Sequence, residues 1–222
     1  MNGLDGVLDL SERRGLPGLA YPKRYLQGLA DELSARFSGT FSHETVQRYV
    51  LESYVALLRS ATVRAHLATR VSRFAEERLT ALAQATGTVA RPVPEVLFVC
   101  ERNAGRSQMA AVMTAALSAG RVHVRSAGSS PAAELSPAVV EAMEEIGLDL
   151  GAEFPKPLTD DVVQAADVVV TMGCGDACPI YPGKRYQDWV LDDPESLPLD
   201  EVRRVRDEIR AHVDQLLATL VG

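Results

Sequence analysis

VLFVCERNAGRSQMA, residues 96–110, carries four apolar strand-forming residues that end on Cys100, then a short loop and a helix-like stretch opening at Arg106-Ser107. A Cys-x5-Arg-Ser loop between a strand and a helix suits a tetrahedral oxyanion. The consecutive backbone N–H groups of Glu101, Arg102, Asn103, Ala104, Gly105, Arg106 and Ser107 can curl into an anion nest. The helix that follows adds its positive N-terminal end. Arg106 can hold two oxygens in a fork, which lysine cannot do. The same field favours the nucleophilic thiolate of Cys100. Ser107 can donate its hydroxyl to the sulfur, Asn103 can hold the loop through side-chain hydrogen bonds, and Gly105 supplies a position tolerant of positive φ.

Outward from this loop, strands alternate with helices. RVHVRSAG (121–128) reads as a second strand, 136–147 as a helix with Pro137 in its first turn, and 159–166 as a short helix. ADVVVTM (166–172) is apolar enough for a strand buried on both faces, and 199–220 carries a helical stripe from Val202 to Leu217. This alternation predicts an α/β fold with a parallel sheet covered on both faces. Ligands bind beyond the carboxyl ends of such strands, where Cys100, Ser126-Ala127-Gly128 and Cys174 fall.

Ahead of the loop the period is helical. Tyr25, Leu29, Leu33 and Phe37 lie four apart. A second helix starts at a Ser42 N-cap with Val46, Val50 and Tyr54 on one face, and a third carries Val63, Leu67, Val71, Phe74 and Leu82. The sequence therefore predicts a flexible leader over 1–20, a three-helix bundle over 21–90 and the α/β domain over 91–222, joined through the proline-containing TVARPVPE at 88–95. His43 and His66 are isolated and read as surface or cap histidines.

Apolar residues make up 46% of the 222 and charged ones 24%, the composition of an ordinary globular protein. The first 94 residues carry twelve Lys and Arg against nine Asp and Glu, the remainder eleven against twenty-one. An acidic chain is a poor partner for nucleic acid. No apolar run is long enough for a membrane span, and MNGLDGVLDLSERRG has no signal-peptide core, so a cytoplasmic protein is expected.

Cys174 and Cys178 stand in GCGDACP at 173–179. They supply only two of the four ligands of a structural zinc, with no histidine nearby, so no metal is expected. They are a redox pair or two ordinary loop cysteines. Asp193-Pro194 reads as a turn and cap, or as an acid placed for proton transfer, with Asp192 as its neighbour.

Residues 95–222 resemble the low-molecular-weight tyrosine phosphatase superfamily in VLFVCxxNAGRSQMAA, the SAG at 126–128 and Asp193-Pro194, in family order. Within it, NAGRSQMA, TMGCGDACP (171–179) and KRYQDWVLDDP (184–194) resemble thioredoxin-coupled arsenate reductases. The first part of the chain resembles the three-helix domain that precedes this catalytic domain in some bacterial reductases. The resemblance implies a parallel four-stranded sheet with helices on both faces, and arsenate as substrate with phosphate or sulfate as mimics. It implies Cys100 as nucleophile, Arg106 as anion clamp, Asp193 as proton donor and a Cys174/Cys178 disulfide relay reduced by thioredoxin, without a cofactor. Departures are the three-residue gap between the redox cysteines and Ala111, where some relatives carry a glutamate of a potassium site. Glu195 and Ser196 follow Asp-Pro where phosphatases usually have aromatic residues. The alternatives are a tyrosine phosphatase, a reductase coupled to a small thiol such as mycothiol, and a non-catalytic oxyanion or redox sensor.

Overall fold

The computed structural model describes residues 22–60, 66–173 and 178–221. The expected leader over 1–20, Val63 and Cys174 lie outside the described residues. These residues form two compact units that divide between Glu76 and Glu77.

The first unit contains α1 (Pro22–Arg36), α2 (His43–Ser60) and the opening turns of α3 (Leu67–Ala85). Leu26, Leu29 and Leu33 of α1, Val46, Val50 and Leu57 of α2, and Leu67, Val71 and Phe74 of α3 are buried. Apolar positions three and four apart thus form one stripe per helix. Ser42 caps α2 as expected, its Oγ accepting from the Thr45 N–H at 3.2 Å. Tyr25 is only half-buried, and its hydroxyl donates to the Ala68 carbonyl at 2.5 Å.

The second unit runs β1 (Glu95–Cys100), α4 (Arg106–Ser118), β2 (His123–Gly128), α5 (Pro137–Glu144), α6 (Asp160–Ala165), β3 (Val168–Met172), β4 (Arg185–Asp188), a 3-10 turn (Pro194–Ser196) and α7 (Leu199–Val221). The four strands pair in parallel in the order β2-β1-β3-β4. β1 is buried throughout, which explains its unbroken apolar run. Val96, Phe98 and Cys100 face a core built with Met109, Met113, Met143 and Ile209. Leu97 and Val99 face the opposite core, with Ala127, Val162, Val163 and Val169. β4 reads Arg-Tyr-Gln-Asp and has no apolar run, because it is the half-exposed edge of the sheet.

The last turns of α3 belong to this second unit. Ala81 is part of the Leu97–Val169 core, and Arg78 pairs with buried Asp161 at 3.1 Å. Gln84 donates to Glu95 Oε1 at 2.7 Å and accepts from Arg125 at 2.8 Å, while Arg125 also pairs with Glu95. Burial opposes ionisation of Glu95. The hydrogen bond and charge of His123, the Arg125 guanidinium and the Gln84 amide outweigh it and hold the carboxyl below the ordinary carboxylate range. Among the described residues, no helix is long and apolar enough to cross a membrane.

Candidate active site

β1 delivers Cys100 to the carboxyl edge of the sheet, in register with Gly128 of β2 and Met172 of β3. Its side chain is buried. The loop then turns through Asn103 and enters α4 at Arg106, so the positive end of a 13-residue helix faces the thiol. Two groups approach the sulfur. Ser107 Oγ lies 3.0 Å from Sγ, and the Asn103 backbone N–H donates to Sγ at 3.2 Å. Both contacts strengthen when the sulfur is anionic.

The loop conformation differs from expectation at one residue. Gly105 does not supply the positive φ, since its φ is −143°. The left-handed residue is Asn103, at φ +48°. Glycine is required at 105 for another reason: a Cβ there would come 2.7 Å from Pro194 Cγ. Gly128 has a similar role, since a Cβ on it would lie 2.8 Å from the Glu101 carbonyl oxygen. These close approaches let the Cys100 loop nestle against β2 and the Asp193-Pro194 turn.

Arg106 is almost buried, and its Nη2 donates to Asp193 Oδ2 at 2.7 Å. Asp193 Oδ1 accepts from the Glu195 N–H at 3.2 Å, which caps the 3-10 turn. A second ion pair joins the same two segments, Arg102 to Glu195 at 2.8 Å. Between them lies a cavity of about 300 Å³, lined by Cys100, Arg102, Ala104, Gly105 and Arg106 on one side and by Asp193, Pro194 and Glu195 on the other. Leu135 and Pro137 contribute an apolar wall. Asp193, and not Asp192, lines this space. Glu101 is exposed and does not line it.

Cys100, Arg106, Ser107, Asn103 and Asp193 are thus brought together. Cys178 lies apart from them, half-buried against the core on the opposite face of the sheet from the Cys100 side chain. The Tyr186 hydroxyl pins the chain after Cys178 to β4, donating to the Pro179 carbonyl at 3.1 Å and accepting from the Tyr181 N–H at 2.9 Å. Cys174 follows Met172 by two residues and lies outside the described residues, as does Gly175. Gly173, at φ +72°, makes room for Arg106: a Cβ there would sit 2.9 Å from Nη1. Among the described residues no three His, Cys, Asp or Glu side chains cluster so as to hold a metal ion.

Sequence reasoning passed over Gln108. It is fully buried and donates to both Asn103 Oδ1 and the Phe154 carbonyl at 3.0 Å. A polar residue beside Met109 and Ala110 in an otherwise small and apolar stretch was the available signal.

Residues 95–221 match the family described as low molecular weight phosphotyrosine protein phosphatase, and residues 26–83 match protein-tyrosine-phosphatase-like, N-terminal domain. A solved thioredoxin-dependent arsenate reductase of Corynebacterium glutamicum is similar over 90% of this chain and 97% of its own, at 45% identity and a TM-score of 0.81. A solved arsenate reductase in a phosphate-binding state is 32% identical, covering 58% of this chain and 99% of that one, with a TM-score of 0.50. A glutaredoxin arsenate reductase of a Synechocystis species is 33% identical over 129 residues, 57% of this chain and 98% of its own length.

Proposed function

This chain belongs to the low molecular weight phosphotyrosine protein phosphatase family, and on that premise we propose that it reduces arsenate to arsenite with three cysteines and thioredoxin. The supporting observation is that Cys100 lines the cavity beside Arg106, in register with the end of the strand that leads into the second thiol segment. The Corynebacterium relative, similar over nearly the whole chain, is a thioredoxin-dependent arsenate reductase.

In the first step arsenate enters the cup, as phosphate or sulfate also can, and its oxygens take the Arg106 guanidinium that Asp193 holds in the resting site. The Cys100 thiolate attacks arsenic, forming an S–As bond. One As–O bond breaks, and Asp193, released from Arg106 and protonated from solvent, delivers the proton with which that oxygen leaves as water. The Cys174 thiolate then attacks Cys100 Sγ. An S–S bond forms, and the S–As pair stays on arsenic, which falls from the +5 to the +3 state and departs as arsenite. The Cys178 thiolate attacks Cys174 Sγ and expels the Cys100 thiolate, leaving a Cys174–Cys178 disulfide. The dithiol of thioredoxin reduces that disulfide and is itself oxidised.

Cys178 packs on the face of the sheet opposite to the Cys100 side chain, which supports an intermediary between the two. The relay needs its thiols restored between turnovers, so the reducing cytoplasm is its compartment. The lining supports arsenate over an aryl phosphate, because none of the described residues that line the cavity is aromatic and none can stack a phenol ring.

The test is NADPH consumption with thioredoxin and thioredoxin reductase, with and without arsenate, in wild type and Cys178→Ser. Arsenate-dependent turnover in wild type that disappears in the variant is expected. Equal turnover in both would remove Cys178 from the relay. No turnover in wild type would end the thioredoxin coupling, and the same assay with mycothiol or glutaredoxin then identifies the donor.

A further inference from the structure

Asn103 sits at φ +48°, in the left-handed region that asparagine tolerates but does not prefer, so its surroundings must hold it there. They do so with an unusual number of bonds. Its Oδ1 accepts from Gln108 Nε2 at 3.0 Å and from the Lys156 backbone N–H at 2.8 Å. Its carbonyl accepts from Gln108 at 3.2 Å. Its Nδ2 then donates to Ser107 Oγ at 2.8 Å, and its own N–H donates to Cys100 Sγ. Asn103 therefore sets both groups that approach the sulfur.

Lys156 belongs to a strap, residues 154–158, that runs behind the loop. Its carbonyl accepts from the Gly128 N–H at 2.8 Å, the Leu158 N–H donates to the Gly128 carbonyl at 2.8 Å, and the Phe154 carbonyl receives Gln108. The Lys156 side chain turns inward, and its side chain is only 8% exposed. Its ammonium lies 5.6 Å from the centre of the Phe154 ring, 3.2 Å from Glu77 Oε2 of α3 and 3.7 Å from Glu153 Oε2. An ammonium this buried that loses its 3.2 Å carboxylate keeps only the longer Glu153 contact, so the lysine shifts and takes its backbone with it.

We propose that Lys156, anchored by Glu77, is a positioning residue for the Cys100 loop: the ion pair fixes the strap, the strap fixes Asn103, and Asn103 orients Ser107 and its own N–H toward the sulfur. The helix that precedes the catalytic strands thereby sets the reactivity of the thiol. This deepens the reading of Cys100 as the nucleophile and rests on it.

The test uses the full chain and reads the loop without turnover. The rate of Cys100 alkylation by iodoacetamide is followed by peptide-resolved mass spectrometry across pH, with inorganic phosphate as protecting anion. The variants are Glu77→Gln and Lys156→Met, with Arg78→Met as the comparison. Arg78 lies on the same helix and pairs with Asp161 of α6 instead of with the strap residue Lys156. Expected is a displaced pH profile for Cys100 and about a tenfold higher phosphate concentration for half-protection in the first two variants. Arg78→Met is expected to lower Tm while leaving the profile and the protection as in wild type. Unchanged alkylation and protection in Glu77→Gln and Lys156→Met would overturn the proposal. So would an equal displacement in Arg78→Met, which would assign the effect to lost stability. If the displacement occurs in a protein that does not reduce arsenate, the positioning stands and the proposed activity fails.

Discussion

Arg106 Nη2 donates to Asp193 Oδ2 at 2.7 Å, so the guanidinium that serves the oxyanion cup is held by a carboxylate before any anion arrives. Arsenate must compete with Asp193 for it. Asp193→Asn keeps the shape and removes the competing charge. Phosphate, measured by calorimetry, is expected to bind about fivefold more tightly, the upper range for a half-exposed ion pair. Arsenate turnover is expected to fall about 100-fold with the loss of the carboxyl proposed as proton donor. Unchanged phosphate affinity would show that the pair does not oppose binding.

Gly105 packs against Pro194, and a Cβ would meet Cγ at 2.7 Å. The contact is with a ring fixed to the backbone, so the whole 193–195 turn must shift. Gly105→Ala is therefore expected to cost about 1–3 kcal/mol in urea unfolding. It should also reduce kcat/KM more than Asp193→Asn alone, since the Arg102–Glu195 pair moves with the turn. Wild-type kcat/KM would mean that the turn yields without consequence for the site.

Glu95 links acid stability to the far end of the sheet. Its folded carboxyl titrates below the ordinary range, held there by His123, Arg125 and Gln84 against the cost of burial. On acidification the unfolded chain therefore takes up this proton first. The stabilisation is fully present above the unfolded value of about 4.3 and is lost as the pH falls through the lower folded value. Glu95→Gln is expected to flatten the fall of Tm below about pH 4.3. The same acid slope in both proteins would show that other carboxylates account for it.

Arg78, Ala81 and Gln84 are built into the second unit although they lie on the third helix. A fragment starting at Arg91 removes Arg78 from Asp161, Ala81 from the Leu97–Val169 core and Gln84 from Glu95 and Arg125. Its urea midpoint is expected to be well below that of a fragment starting at Glu76. Equal midpoints would show that the last turns of α3 are dispensable for folding.

Much of this protein is legible in its residue pattern. The unbroken apolar run at 96–99 marks a strand buried on both faces, and the thiol, arginine and serine at fixed spacing mark the loop, because backbone geometry ties those positions together locally. The bundle stripes were readable for the same reason, since helical period is a local property. β4 escaped the pattern because an edge strand has only part of its surface to bury, leaving no apolar signature in Arg-Tyr-Gln-Asp.

Sequence alone determined which strand or helix each candidate residue lies on, since Cys100, Arg106 and Ser107 are tied together over a few covalent bonds. Tertiary structure decided how those residues engage one another. Asn103 rather than Gly105 takes the left-handed turn, and Gly105 is needed for a proline 89 positions away. Asp193 occupies Arg106, and a lysine from a distant strap, fixed by a glutamate of α3, holds the loop. Such contacts depend on where separate elements come to rest. Packing sets that position, and no spacing along the chain encodes it.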